Sequence, residues 1–97
     1  MAKQAVVINE NDSVATATMD LKKGTKVSMF IGEKELDVVV HKDIPFGHKF
    51  AIKDISKGEH VIKYNESIGK ATEDIKVGDH VHVHNVESAR GRGDLSN

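Results

Sequence analysis

The segment DIKVGDHV at residues 74–81 contains the motif that decides the fold. The motif consists of Asp, an aliphatic residue, two variable positions, Gly, two further positions and an apolar residue, and it also occurs at residues 20–27, 43–50 and 54–61. The Asp side chain can accept a hydrogen bond from a backbone N–H two residues on, and Gly adopts the positive φ of a tight turn. The motif therefore predicts a corner. Because its four copies are irregularly spaced, they indicate one compact domain and not a solenoid.

Short strands are predicted between these corners. The apolar residues are mostly Val and Ile, which are stiff at χ1 and suit a pleated sheet, and no segment keeps a helical apolar period over three turns. The domain is therefore predicted to be mostly β, with strands and two hairpins. The expected strands are residues 5–8, 14–19, 26–31, 35–40, 49–53, 61–64, 67–71 and 80–86, with hairpin turns at residues 32–34 and 65–66.

Length and composition exclude several classes of protein. The 97 residues are enough for one domain, and the absence of cysteine excludes disulfides and thiolate metal sites. No apolar run approaches the roughly 20 residues of a membrane span, and a signal-peptide pattern is missing at the N-terminus, so we expect a cytoplasmic protein with no membrane partner. The net charge of −1 argues against nucleic acid as a partner, since phosphate binding needs an excess of Lys and Arg.

The last corner continues into the segment HVHVHN at residues 80–85. Alternation of His with Val has the period of a β-strand, which would place the valines in the core and the imidazoles together on the opposite face. Side chains two apart on one face lie roughly 6–7 Å from each other. Two or three imidazoles could therefore converge on one anion or metal ion. The structural alternative is an edge strand that carries polar residues on its solvent-exposed face.

Three segments resemble the SAF domain, a β-clip module, of the altronate and galactarate dehydratase family. They are DIPFGHKFAI at residues 43–52, GEHVIKY at residues 58–64 and GDHVHVHN at residues 78–85. The resemblance runs from about Val6 to Arg92 and keeps the order of the three motifs. The segments are also similar to the small subunit of the sulfolactate sulfo-lyases, in which this domain is a separate chain. The resemblance implies a single small β-clip domain at residues 4–86, and we expect residues 87–97 to form a flexible polar tail.

The resemblance implies a lyase that removes water, or sulfite in the sulfo-lyases, from a small 2-hydroxy acid. Family members commonly need a divalent metal such as iron. The larger catalytic domain of the dehydratases is absent from this sequence, so we expect a small subunit that is inactive alone and that shares a site with a large catalytic subunit. Two alternatives stay open, namely the sulfo-lyase small subunit and a non-catalytic module that binds a sugar acid or a metal. An unpaired sheet edge also makes a homodimer possible.

Three histidines are the predicted catalytic residues: His48, His82 and His84. Elimination from a hydroxy acid needs a base that removes the α-proton and an acid that helps hydroxide leave, and imidazole performs either task near neutral pH. His82 and His84 are also the predicted metal ligands, and an ion bound to the substrate oxygens would stabilise the intermediate enediolate. For His48, which follows Gly47 in the second corner, an exposed turn residue is the alternative.

Substrate binding is predicted for His80, Asn85 and Arg90. An amide can bind a hydroxyl or a carboxylate, and a guanidinium can hold a carboxylate through two parallel hydrogen bonds. The alternatives are a turn cap for Asn85, and contact with a partner chain or a solvated tail for Arg90. We expect His41 and His60 to lie on the surface.

Overall fold

Residues 4–87 are described by a computed structural model as an assembly of short antiparallel strands. The strands are β1 (Ala5–Val6), β2 (Val14–Ala17), β3 (Lys26–Ile31), β4 (Lys34–Val39), β5 (Lys49–Ala51), β6 (His60–Lys63), β7 (Glu66–Ala71), β8 (His80–Val81) and β9 (Val86–Glu87). Within residues 4–87 there is no helix, and the prediction of a mostly β domain is confirmed. It follows that this part of the chain has no helix that could span a membrane.

The strands form three sheets, and the largest one positions the histidines. Its order is β1-β2-β5-β8, while β3 pairs with β4 and the third sheet has the order β6-β7-β9. In the largest sheet Lys49 lies opposite Val81, and Phe50 lies opposite His80. This pairing brings the end of the second corner next to the beginning of the histidine segment.

The four corners are type II turns. Their glycines have φ between 84° and 94°, a region that favours Gly at the third turn position. In the second corner the N–H of His48 donates to the carbonyl of Pro45 at 3.0 Å, and the N–H of Gly47 donates to Ala17 of β2 at 2.9 Å. Each corner is thus closed by its own turn bond and attached to a neighbouring strand.

The predicted role of the corner Asp is wrong, because each carboxylate binds the opposite corner. Asp20 Oδ1 accepts the N–H of Phe46, and Asp43 Oδ1 accepts the N–H of Lys23, both at 2.8 Å. The third and fourth corners repeat this exchange, with Asp54 bound to Val77 at 3.0 Å and Asp74 bound to Lys57 at 2.9 Å. The expected donor was the N–H of the third residue of the motif. In the second corner this residue is Pro45, which has no N–H. In the third and fourth corners the N–H of the third residue donates to the carboxylate of the sixth residue.

Each pair of corners covers its own apolar cluster. The first cluster includes Ile44 and Phe50, both 0% exposed, and the second includes Val61 and Ile75. Adjacent residues of β5 belong to different clusters, since Phe50 packs in the first and Ala51 in the second. The two clusters are therefore joined through one short strand.

The predicted strand at residues 80–86 is wrong beyond Val81. β8 ends there, residues 82–85 form a turn, and β9 begins at Val86. Val83, which alternation places in the core, is 82% exposed. The cause is Asn85, whose buried side chain bonds the backbone of His80 and His82 at the start of the turn. A side-chain bond of this kind competes with strand pairing.

Candidate functional site

Three imidazoles meet where the second corner contacts β8. Nδ1 of His48 lies 2.9 Å from Nε2 of His80, as the pairing of β5 with β8 requires. The turn after β8 places the ring of His82 on that of His48, with centroids 4.5 Å apart and planes inclined by 18°. One nitrogen from each ring lies within 4.8 Å of the others. We call His48, His80 and His82 the histidine triad, a donor set that suits a divalent transition metal.

His84 lies next to the triad without completing it. Its ring centroid is 5.4 Å from that of His80, with planes inclined by 37°. The predicted metal pair was His82 and His84, whereas the fold groups His82 with His48 and His80. The difference arises because residues 82–85 form a turn, so that His82 and His84 no longer share one face of a strand.

The surroundings of the triad disfavour positive charge on its rings. The pKa of His80 is lowered by burial first, and then by the charges of His48, His84 and His82. The pKa of His82 is lowered by partial desolvation first, and then by the charges of His48, Lys49 and His84. His82 is exposed overall, and one face of its ring stacks on His48. Both shifts favour neutral imidazole, the form that accepts a proton or binds a metal.

The contact between His48 and His80 holds one proton. At 2.9 Å the two facing nitrogens form a hydrogen bond, in which one nitrogen donates and the other must be unprotonated. The pair can therefore accept a further proton at an outward-facing nitrogen, and release it again, while the shared proton stays in place. Such a pair is suited to proton transfer.

A cleft of about 360 Å³ opens beside His82. Two of the side chains that line it are cationic and most of the others are aliphatic: Lys49, Lys63, Ile68, Val81, Val83 and Val86. The pKa of Lys49 is lowered by burial and then by the charge of Lys63. Two lysine side chains thus line a space that borders the triad.

The remaining predicted site residues lie in different places. Asn85 is 3% exposed, and its carboxamide accepts from His82 N at 2.9 Å and donates to His80 O at 2.8 Å. These contacts are those of a turn cap, and its predicted role in substrate binding stays a prediction. Arg90 lies outside the described residues. His41 and His60 are exposed, as predicted.

Sequence reasoning missed the two cleft lysines. The sequence position of Lys49 could have indicated its place, because it lies between His48 and the apolar Phe50. Neighbouring side chains on a strand point to opposite faces, so Lys49 lies on the face opposite the core. Lys63 carried no such signal, because only the folding of β6 against β7 places it at the cleft.

Comparison with known proteins identifies the family. Residues 3–89 match the altronate/galactarate dehydratase SAF domain. The chain is 45% identical over 85 residues to altronate dehydratase of Escherichia coli (strain K12). The aligned part is 88% of this chain and 16% of that protein. It is 36% identical over 93 residues to (2R)-sulfolactate sulfo-lyase subunit alpha of Chromohalobacter salexigens. The aligned part is 93% of this chain and 99% of that subunit.

A second dehydratase gives the same relation. Altronate dehydratase of Bacillus subtilis (strain 168) is 34% identical over 86 residues, which is 89% of this chain and 16% of that protein. The chain thus spans about 16% of the length of the altronate dehydratases that it matches. It also aligns with almost the full length of a protein that is named as one subunit of an enzyme. By the match over residues 3–89, this chain belongs to the altronate/galactarate dehydratase SAF domain family.

Proposed function

We propose that this chain is the small subunit of a dehydratase that removes water from a sugar acid. In this proposal the histidine triad contributes to an active site that is shared with a large catalytic subunit. The observation that carries the proposal is the triad itself, in which three imidazole nitrogens lie within 4.8 Å of one another and His82 is exposed. The identity of 45% to an altronate dehydratase supports water as the group that is lost.

The triad offers groups for both proton transfers of such an elimination. Loss of water breaks a C–H bond at the α-carbon and a C–O bond at the β-carbon, and the enol that forms becomes a keto acid. His82 is exposed and neutral, so it can take the α-proton. When the pair of His48 and His80 carries a further proton, it can donate that proton to the departing hydroxide, while the proton between the two nitrogens at 2.9 Å stays in place.

The family implies a divalent metal, and the donor set fits one. Imidazole nitrogen is a ligand for iron, zinc and nickel, and the lowered pKa values of His80 and His82 maintain the neutral form that ligation needs. The triad residues would hold the ion, and a ring nitrogen bound to it would not take part in the proton transfers described above. When bound, it would supply a positive charge that stabilises the carboxylate and hydroxyl oxygens of the substrate. Calorimetric titration of the chain with Fe²⁺ and Zn²⁺ tests this, and His48→Ala should weaken binding whereas His60→Ala should not.

Turnover of altronate tests the proposed function. The chain alone and the large subunit alone should be inactive, and their mixture should form the keto acid. Replacing His82 by Ala should lower kcat by about 100-fold or more, since general acid–base catalysis contributes about 10²–10⁴-fold. His60→Ala is the matched control, because His60 is an exposed histidine bonded to Ser67. Wild-type turnover in the His48→Ala/His82→Ala double variant would remove the catalytic role of the triad.

A second candidate is the small subunit of a sulfolactate sulfo-lyase. It is favoured by the alignment with subunit alpha of that enzyme, which covers 99% of the relative. The same residues would then act while sulfite leaves in place of hydroxide. Release of sulfite from (2R)-sulfolactate by the mixed subunits, without turnover of altronate, would select this candidate over the dehydratase.

A further inference from the structure

Two half-buried lysines line one cleft, and neither forms an ion pair within residues 4–87. Lys49 of β5 and Lys63 of β6 both line the space of about 360 Å³ beside His82. Among residues 4–87 the ion pairs are Lys26–Asp37 and His41–Asp79, and neither includes a cleft lysine. The two positive charges in the cleft are therefore not neutralised by the described part of the chain.

The fold holds these lysines close together. Lys49 is fixed by its strand pairing with Val81, and the ammonium of Lys63 packs 4.7 Å from the ring centroid of Tyr64. Both side chains line the same cleft beside His82. Like charges in one cleft repel each other, and an anion between them would offset the repulsion while accepting charge-assisted hydrogen bonds from both.

The walls of the cleft strengthen such an interaction. Ile68, Val81 and Val86 present aliphatic surface, which lowers the local dielectric and increases the attraction between an anion and the ammonium groups. The volume lies within the range of about 300–1,000 Å³ that small-molecule pockets show. The cleft is therefore large enough for an organic acid and not only for an inorganic ion.

We propose that this cleft binds the charged end of the substrate, a carboxylate or sulfonate held between Lys49 and Lys63. The rest of the molecule then extends past His82 towards the triad. This inference rests on the proposed function, and it deepens it, since the small subunit would recognise the acid group as well as supply histidines. It defines the substrate class as small organic acids whose anionic group is needed for binding.

NMR titration of the ¹⁵N-labelled chain tests this site with three probes. Sodium altronate should shift the amides of Ile68, Val81 and His82, and sodium sulfate should compete with it. Altritol, the uncharged polyol with the same number of carbons, should cause no shift. Shifts outside the cleft, or equal binding of altritol, would overturn the proposal. Binding of sulfate without binding of altronate would also overturn it, because the site would then accept inorganic anions only.

Charge variants test the two lysines directly. Lys49→Gln and Lys63→Gln should each raise the Kd for altronate about tenfold, the effect expected for loss of one hydrogen bond to a charged group. Lys49→Arg should retain binding, which separates the role of the charge from that of packing. Lys57→Gln is the matched control, since Lys57 is exposed in the third corner. An unchanged Kd in both glutamine variants, with intact spectra, would overturn the proposal.

Assays of the two-subunit complex separate this inference from the proposed function. In an active complex Lys63→Gln should raise KM for altronate more than it lowers kcat. If the complex is active and KM is unchanged in both glutamine variants, the cleft assignment fails and the proposed function stands. If no mixture is active but altronate still binds between the lysines, the proposed function fails and the anion site stands.

Discussion

At the scale of single residues, Asn85 determines the direction in which the site histidines point. Its buried carboxamide uses its oxygen for the N–H of His82 and its nitrogen for the carbonyl of His80. The N–H of Asn85 also donates to His82 O at 3.1 Å. These bonds turn the chain after β8, which lets His82 stack on His48 when it would otherwise continue along the strand.

We therefore expect Asn85→Ala to destabilise both the turn and the triad. Leaving buried backbone groups without partners costs about 1–3 kcal/mol, so the free energy of unfolding measured with urea should fall by that amount. The shifts of the His82 ring should change as well. Asn11→Ala is the control, since the side chain of the exposed Asn11 bonds only the exposed Asn65 and its loss should change stability by less than about 0.5 kcal/mol. Equal effects of the two variants would contradict this role.

The lowered pKa values of His80 and His82 predict how stability depends on pH. Both values are below the ordinary 6.5, so the unfolded chain binds more protons than the folded chain as pH falls through 6.5. The contribution of the neutral rings is present above pH 6.5 and is lost below it. The Tm should therefore decrease between pH 7.5 and pH 5.

A double variant checks that this pH dependence comes from the triad. His80→Gln/His82→Gln should show a flatter decrease of Tm over the same interval, measured by calorimetry. His41→Gln is a poor control because His41 pairs with Asp79, so His60→Gln is used instead. A Tm that rises on acidification of the wild-type chain would contradict the direction of both shifts.

At the scale of elements, the corner is used four times but its copies are not equivalent. The corners pair two by two through reciprocal backbone bonds, Leu21 with Ile44 and Ile55 with Ile75, each at 2.8 Å. The glycines then differ in their surroundings. A Cβ added at Gly58 would meet no atom within 4 Å, whereas one at Gly78 would meet the carbonyl oxygen of Val39 and the ring of His41.

Alanine at these two glycines should therefore have unequal effects. Both have φ above 90°, so each substitution carries a backbone cost of about 1–2 kcal/mol. Gly78→Ala should lose about 1–3 kcal/mol more, because it also overpacks the contact with Val39. Urea unfolding of the two variants measures the difference. If both variants lose the same stability, the close approach of the fourth corner to Val39 is not a constraint on folding.

At the scale of the whole molecule, β5 and the residue before it join the two apolar clusters and the candidate site. Phe50 packs in the first cluster, Ala51 packs in the second, and His48 and Lys49 belong to the triad and the cleft. Loss of packing in β5 should therefore lower the stability of both clusters, throughout residues 4–87.

Phe50→Ala tests this coupling. Removing a fully buried Phe costs about 3–5 kcal/mol, and hydrogen exchange should show that the amides of Val27 in the first cluster and Val61 in the second lose protection together. Phe46→Ala is the control, since Phe46 is 68% exposed and should change stability little. Protection retained at Val61 while it is lost at Val27 would show that the clusters unfold independently.

The sequence alone determined the corners, the strands around them and the absence of helices in residues 4–87, because turn chemistry and apolar alternation act between near neighbours. The family followed from the same motifs. His80 and His82 were recognisable as candidate site residues because their residue type and clustering are visible in the sequence.

The tertiary structure alone decided which groups meet. His48 is 32 residues from His80, and Lys63 reaches the cleft from another sheet, so neither partnership has a local signal. The position where the histidine strand ends also depends on tertiary structure. Alternation predicts that the strand continues, but the buried amide of Asn85 bonds the backbone and ends it. Contacts between distant segments depend on strand pairing and burial, which no short-range pattern encodes.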